Sequence, residues 1–69
     1  MEVAVKYLFN RTRNSRIESD IEIMYFEEYD YEDFETDLEK EREFVNEVTN
    51  LIKQKYGYFS VKVTSFSEI

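Results

Sequence analysis

The stretch EEYDYEDFETDLEKERE, residues 27–43, sets ten carboxylates against two basic side chains. Carboxylates at that density can hold a hard cation, share a proton in acid–base catalysis, or oppose a basic partner by charge. A calcium loop of the EF-hand type counted from Asp33 needs glycine at its sixth position and glutamate at its twelfth. Leu38 and Phe44 stand there instead. At most a weak surface site for calcium or magnesium remains, and no metal or other cofactor is expected.

Catalysis has little to work with. The chain contains no histidine and no cysteine, so the commonest neutral-pH base and the thiolate nucleophile are both missing. Gly57 is the only glycine, which excludes a glycine-rich phosphate cradle. A metal-dependent hydrolase built from carboxylates and a lysine such as Lys62 would need an arrangement that the spacing does not offer. The reading is therefore a protein without enzymatic activity.

Charge is what remains. The whole chain carries −7 over 69 residues, while residues 27–43 alone carry −8. The other 52 residues hold six acids and seven bases. An acidic chain repels phosphate, so direct contact with nucleic acid is not expected. A basic protein surface is the natural partner. The candidate binding face comprises Glu28, Asp30, Glu32, Asp33, Glu35, Asp37, Glu39 and Glu43, with Tyr29 and Tyr31 supplying aromatic contact area. Seventeen helical residues would span roughly 26 Å, and eight net charges over that length fall about one per 3 Å, near the ~3.4 Å spacing of one DNA strand. The most concrete expectation is a DNA-mimicking inhibitor of a nucleic-acid-binding protein. In size and charge the chain is similar to small acidic inhibitors made by phages and mobile elements. The alternative is a small homodimeric structural or adaptor domain whose acids keep it in solution, since a charge run on a helix is usually a solvated face.

The elements that must position these groups are legible as periods. Residues 2–9 alternate, with Val3, Val5, Tyr7 and Phe9 on one face, the period of a half-buried strand. Residues 16–26 alternate again, with Ile17, Ile21, Ile23 and Tyr25 on one face and Glu18, Asp20, Glu22, Met24 and Phe26 on the other. The polar link NRTRNSR joins the two into an antiparallel hairpin. Taking the isoleucine row as the core face puts Lys6 across from Glu18, Asp20 or Glu22. Arg11, Arg13 and Arg16 in the link are read as a solvated turn, with phosphate or the acidic segment of a neighbouring copy as alternative ligands.

A helix is expected over about 34–56, its apolar stripe formed by Phe34, Leu38, Val45, Val48, Ile52 and Tyr56, with Phe44 and Leu51 at the edge. Thr36, Asp30 or Asp33 would cap its start. Lys53, Lys55 and Gly57 mark its end. Glu32, Glu35, Glu39, Glu43 and Glu47 lie opposite the stripe, and Glu41 falls inside it beside Leu38 and Val45. Residues 58–66 form a third strand, with Phe59, Val61 and Val63 toward the core.

The order ββαβ in one domain of residues 1–69 gives an α+β, two-layer sandwich: a three-stranded, mainly antiparallel sheet with one helix on one face. Strand order 2-1-3 is favoured over 1-2-3. In this arrangement Ala4, Leu8, Met24, Phe26, Tyr58 and Phe66 lie on the uncovered face, and Leu8, Met24, Phe26, Tyr58 and Phe66 become candidates for self-association. The apolar run at the N-terminus is interrupted at Lys6 and is far short of the ~20 residues of a membrane helix. With no cysteine to oxidise, a cytoplasmic protein is expected.

Overall fold

The computed structural model describes residues 1–69. Strand β1 (Glu2–Asn10) and strand β2 (Glu18–Tyr25) form the hairpin. A short helix α1 (Asp33–Thr36) precedes the main helix α2 (Leu38–Tyr56), and strand β3 (Ser60–Glu68) closes the chain. The sheet order is β2-β1-β3, with β1 antiparallel to both neighbours. This is the α+β sandwich expected from the periods, with the strand order favoured over 1-2-3. Because β2 and β3 run parallel to each other, the chain has to cross over β1 between them, and α2 makes that crossing.

The core is one row of β1 against one row of α2. Val3, Val5, Tyr7 and Phe9 are buried, as are Phe44, Val48 and Ile52, and Phe26 and Phe34 close one end. That end is a knot of rings. Phe44 lies 5.0 Å from Phe26, 4.9 Å from Phe34, 5.0 Å from Phe66 and 5.1 Å from Tyr29, centroid to centroid. At the other end Tyr58 stacks on Phe9 at 4.1 Å. Gly57 takes the left-handed conformation, φ 69°, and its N–H donates to the Lys53 carbonyl. A single glycine thus ends α2 where only glycine is unstrained.

The β2 face is the reverse of the sequence reading. The register pairs Val3 with Met24, Val5 with Glu22, Tyr7 with Asp20 and Phe9 with Glu18. Since Val3, Val5 and Tyr7 face α2, so do Met24, Glu22 and Asp20. Phe26 is buried at 5% exposure, whereas Ile17, Ile21, Ile23 and Tyr25 are 59–66% exposed. Lys6 sits opposite Ile21, not an acid. The inversion is tolerated because α2 runs closest to β3. The inner row of β2 is only partly roofed, and its acids reach water and cations.

Strand β3 differs too. Val63 pairs with Tyr7 and Ser65 pairs with Lys6, which leaves Thr64 as an unpaired bulge residue. Its hydroxyl donates to the Lys6 carbonyl at 3.1 Å. A bulge shifts the side-chain alternation by one, so Val61, Val63 and Phe66 all face inward. Tyr58 and Phe66 pack against the core, and Phe59 is exposed. Of the residues assigned to the uncovered face for self-association, only Leu8, on the even-numbered row of β1 opposite Ser19, lies there. Met24, Phe26, Tyr58 and Phe66 lie on the helix side.

The helix also begins later than the stripe suggests. Asp37 is extended, φ −131° and ψ 93°, and its carboxylate accepts from the N–H groups of Glu39 and Lys40. Asp37 is therefore the cap, and the Thr36 hydroxyl instead donates back to the Asp33 carbonyl. Leu38, beyond the break, is 73% exposed.

One buried group is unspent. The Tyr7 hydroxyl oxygen is enclosed and has no hydrogen-bond partner, and burial pushes its pKa well up, so it stays neutral. An orphaned buried hydroxyl costs roughly 1–3 kcal/mol. Tyr7→Phe is expected to raise the melting temperature by about 4 °C or more for a domain of this size; differential scanning calorimetry at pH 7 reads the shift.

Candidate functional site

The acidic segment folds by sorting its own alternation. In Glu28-Tyr29-Asp30-Tyr31-Glu32 the two tyrosines turn inward and the three acids turn out. Asp30 organises the turn. Its side chain accepts from the Glu32 N–H at 3.3 Å and its carbonyl accepts from the Asp33 N–H at 3.0 Å. Tyr29 packs edge-on to Phe26 and Phe44. Its hydroxyl donates to Glu47 Oε2 at 2.7 Å, and that bond, with burial second, pushes its pKa up to about 12. Tyr31 lies against Phe34 and Phe66. Both rings are committed to the fold, so the area they offer a partner is small.

The carboxylates that result form one end of the sandwich, over the ring knot. Glu27, Glu28, Asp30, Glu32, Glu35, Asp37, Glu39 and Glu43 are all exposed. Asp33 is half-buried and meets Lys40 Nζ at 3.4 Å, the one ion pair in the segment. No three acids gather into a cation-binding cluster. The break at Asp37 divides the segment into loop, α1 and the start of α2, so its charges do not line up along one helix as the 26 Å row would require. Likewise Glu35 precedes the break, and the i, i+4 stack on α2 is Glu39, Glu43 and Glu47. Glu41 is half-buried beside Tyr31, Val45 and Phe66, in a shallow groove open to solvent.

A second charged constellation was not legible in the sequence. Glu22, on the helix side of β2, accepts from Lys55 Nζ at 2.6 Å and from the Tyr56 hydroxyl at 2.7 Å. It ties β2 to the last turn of α2, 33 and 34 residues away. Burial opposes the charge on Glu22, but the bonds from Lys55 and Tyr56 outweigh it and the pKa falls below its ordinary value. A carboxylate with a depressed folded pKa stabilises at pH above its unfolded value, ~4.3, and that contribution disappears as pH drops through the folded value. Glu22→Gln is thus expected to melt below wild type from pH 7 down to about 5, with the difference closing below about pH 4; melting curves across that range test it. The tie is not legible locally because both rows of its strand hold large apolar residues, so nothing near Glu22 indicates which way the strand faces.

At the hairpin tip Arg11 pairs with Glu18 at 2.7 Å and lies over the Phe9 ring at 5.4 Å. That bond raises the Arg11 pKa further. Arg13 and Arg16 are exposed. No helix is long and apolar enough to cross a membrane. No protein-family model matches the chain, and neither a curated protein nor a solved structure matches it.

Proposed function

We propose that the chain is a non-enzymatic, acidic protein-binding module whose acidic end docks on a basic protein surface. The observation that supports this is the imbalance at that end: eight exposed carboxylates, with Lys40–Asp33 the only ion pair. Capping accounts for Asp37 alone. Exposed like charges repel one another, and a cationic partner relieves that repulsion. Glu28, Asp30, Glu32, Asp33, Glu35, Asp37, Glu39 and Glu43 form the contact face, with Tyr29 and Tyr31 beneath it as support. The most specific version is an inhibitor that occupies the nucleic-acid groove of its target, acting in the cytoplasm and carrying no cofactor.

The test is capture of a partner on immobilised protein, washed at low and high salt and challenged with duplex DNA. Glu35→Lys, Glu39→Lys and Glu43→Lys combined should abolish capture while leaving the circular dichroism spectrum unchanged. Capture that survives both salt and charge reversal would sink the proposal.

The runner-up, a homodimeric structural or adaptor domain, draws on a different observation. Ile21, Ile23 and Tyr25 leave the sheet face opposite α2 rich in exposed apolar side chains. This reading expects a dimer in sedimentation equilibrium that Ile21→Asp dissociates.

A further inference from the structure

The open edge of β2 has features that the acidic end does not use. Phe26 donates its N–H to the Met1 carbonyl at 2.8 Å, and the Met1 amino group donates to the Phe26 carbonyl at 2.6 Å. Bonded pairs alternate along an antiparallel ladder. The even-numbered residues of β2 therefore bond β1, and Ser19, Ile21, Ile23 and Tyr25 turn their N–H and C=O groups to the open side. The Ile21 N–H is occupied by its neighbour, accepting carboxylate Asp20 at 2.7 Å. The others have no such partner. This edge carries no proline and no bulge; its guards are the inward-pointing acids Glu18, Asp20 and Glu22, which turn away any strand that does not answer their charge.

A groove of about 350 Å³ runs beside this edge, lined by residues 22–26, Leu51, Ile52 and Lys55. Consecutive strand residues from both rows line it, so it follows the backbone rather than one face. From Glu22 at the margin of the groove the inner row turns acidic, continuing with Asp20 and Glu18. Arg11 answers Glu18 and Lys55 answers Glu22, but Asp20 has no cation. The outer row is Ile17, Ile21, Ile23 and Tyr25, all more than half exposed.

These rows say which strand the edge accepts. A second copy fits badly in the two registers of longest overlap, and a register centred on Ile23, which sets no acid against another, keeps only residues 21–25 in the ladder. Two-fold pairing centred on Ile21 sets Asp20 against Glu22 of the other copy twice, and pairing centred on Glu22 sets that acid against itself. Like charges directly opposite are destabilising. We propose that the β2 edge binds an extended segment of another protein by strand addition, and that the segment alternates. One row is β-branched, continuing the isoleucine face. The other places an apolar side chain in the groove beside Met24 and Leu51, then lysine or arginine along the acidic stretch, where Asp20 is the acid still unanswered and Glu22 is already held by Lys55 and Tyr56. Main-chain bonds give the affinity and the two rows give the selectivity. The proposal is independent of the acidic end.

The probes are two labelled heptapeptides, Val-Leu-Val-Lys-Val-Lys-Val for antiparallel addition and its reversed sequence for parallel addition, titrated by fluorescence anisotropy. One of them should bind. N-methylation of the amides that face β2 should weaken it at least tenfold, as should Asp20→Lys. Ile23→Pro should do the same, since it removes only an outward N–H and spares the ladder to β1. Should that variant not fold, the methylated peptide carries the same test. Glu35→Lys, Glu39→Lys and Glu43→Lys combined should change peptide affinity less than twofold, which separates this edge from the acidic end. Binding of neither peptide at millimolar concentration, or binding indifferent to N-methylation, overturns the proposal. So does a dimer that Ile23→Pro dissociates, because the occupant is then a second copy.

Discussion

Phe44→Ala is expected to leave the chain unfolded at 25 °C. Phe44 is fully buried on α2 and its ring meets Phe26, Tyr29, Phe34 and Phe66. Truncating a buried phenylalanine costs about 3–5 kcal/mol, part lost transfer and part residual cavity. Each aromatic pair adds roughly 0.5–1.5 kcal/mol beyond area. A single core in a domain below ~70–80 residues rarely supplies more than about 3–5 kcal/mol, and with no cysteine no disulfide supplements it. The loss matches or exceeds the whole margin. Far-UV circular dichroism and the absence of a cooperative melt are the readouts. A variant that melts cooperatively within about 10 °C of wild type would show that the ring knot is not where stability resides.

Phe26→Asp should be equally severe, and its contrast with Ile23→Asp tests the strand register. Ile23 lies in β2 and Phe26 directly after its last residue, three positions apart. Phe26 is 5% exposed and Ile23 is 63% exposed. An aspartate at position 26 must either be buried ionised or be forced to protonate, and either costs several kcal/mol beyond the lost ring. At position 23 it meets water, where substitutions stay within about 0.5 kcal/mol. The first variant should fail to fold at pH 7; the second should melt within a few degrees of wild type. If the outcomes were exchanged, β2 would face the other way.

That contrast also marks where the sequence stops being informative. Alternation in β1 sets Val3, Val5, Tyr7 and Phe9 on one face against Ala4, Lys6 and a single large apolar residue, Leu8, on the other, so both its period and its buried face could be read. In β2 both rows hold large apolar residues. The isoleucines and Tyr25 oppose Met24 and Phe26, and the period survives while its sign does not. The sign is fixed by pairing with β1 and by the ring knot, neither of which is local. The β3 bulge is invisible for a related reason: no glycine marks it, and Thr64 looks like an ordinary strand residue. The end of α2 was legible from Lys53, Lys55 and Gly57. Its start was not: Thr36, Asp30 and Asp33 are the caps expected, Asp37 is an equally competent cap, and only the chain direction at Asp37 chooses among them. For the candidate site, the location of the charge was plain from composition. The inward turn of Tyr29 and Tyr31, and the division of the segment at Asp37, depend on contacts with residues 44 and 66.

The unpaired Thr64 gives β3 a spare residue. Deleting it would bring Val63 and Ser65 together as neighbours on a regular ladder and keep Phe66 on its present side. Deleting Val61, Lys62 or Val63 instead would oblige the strand to discard its irregularity or to turn an aromatic ring into solvent. Length variation in this strand should therefore concentrate at that one threonine, and a shortened chain lacking it should have a flatter, less coiled sheet.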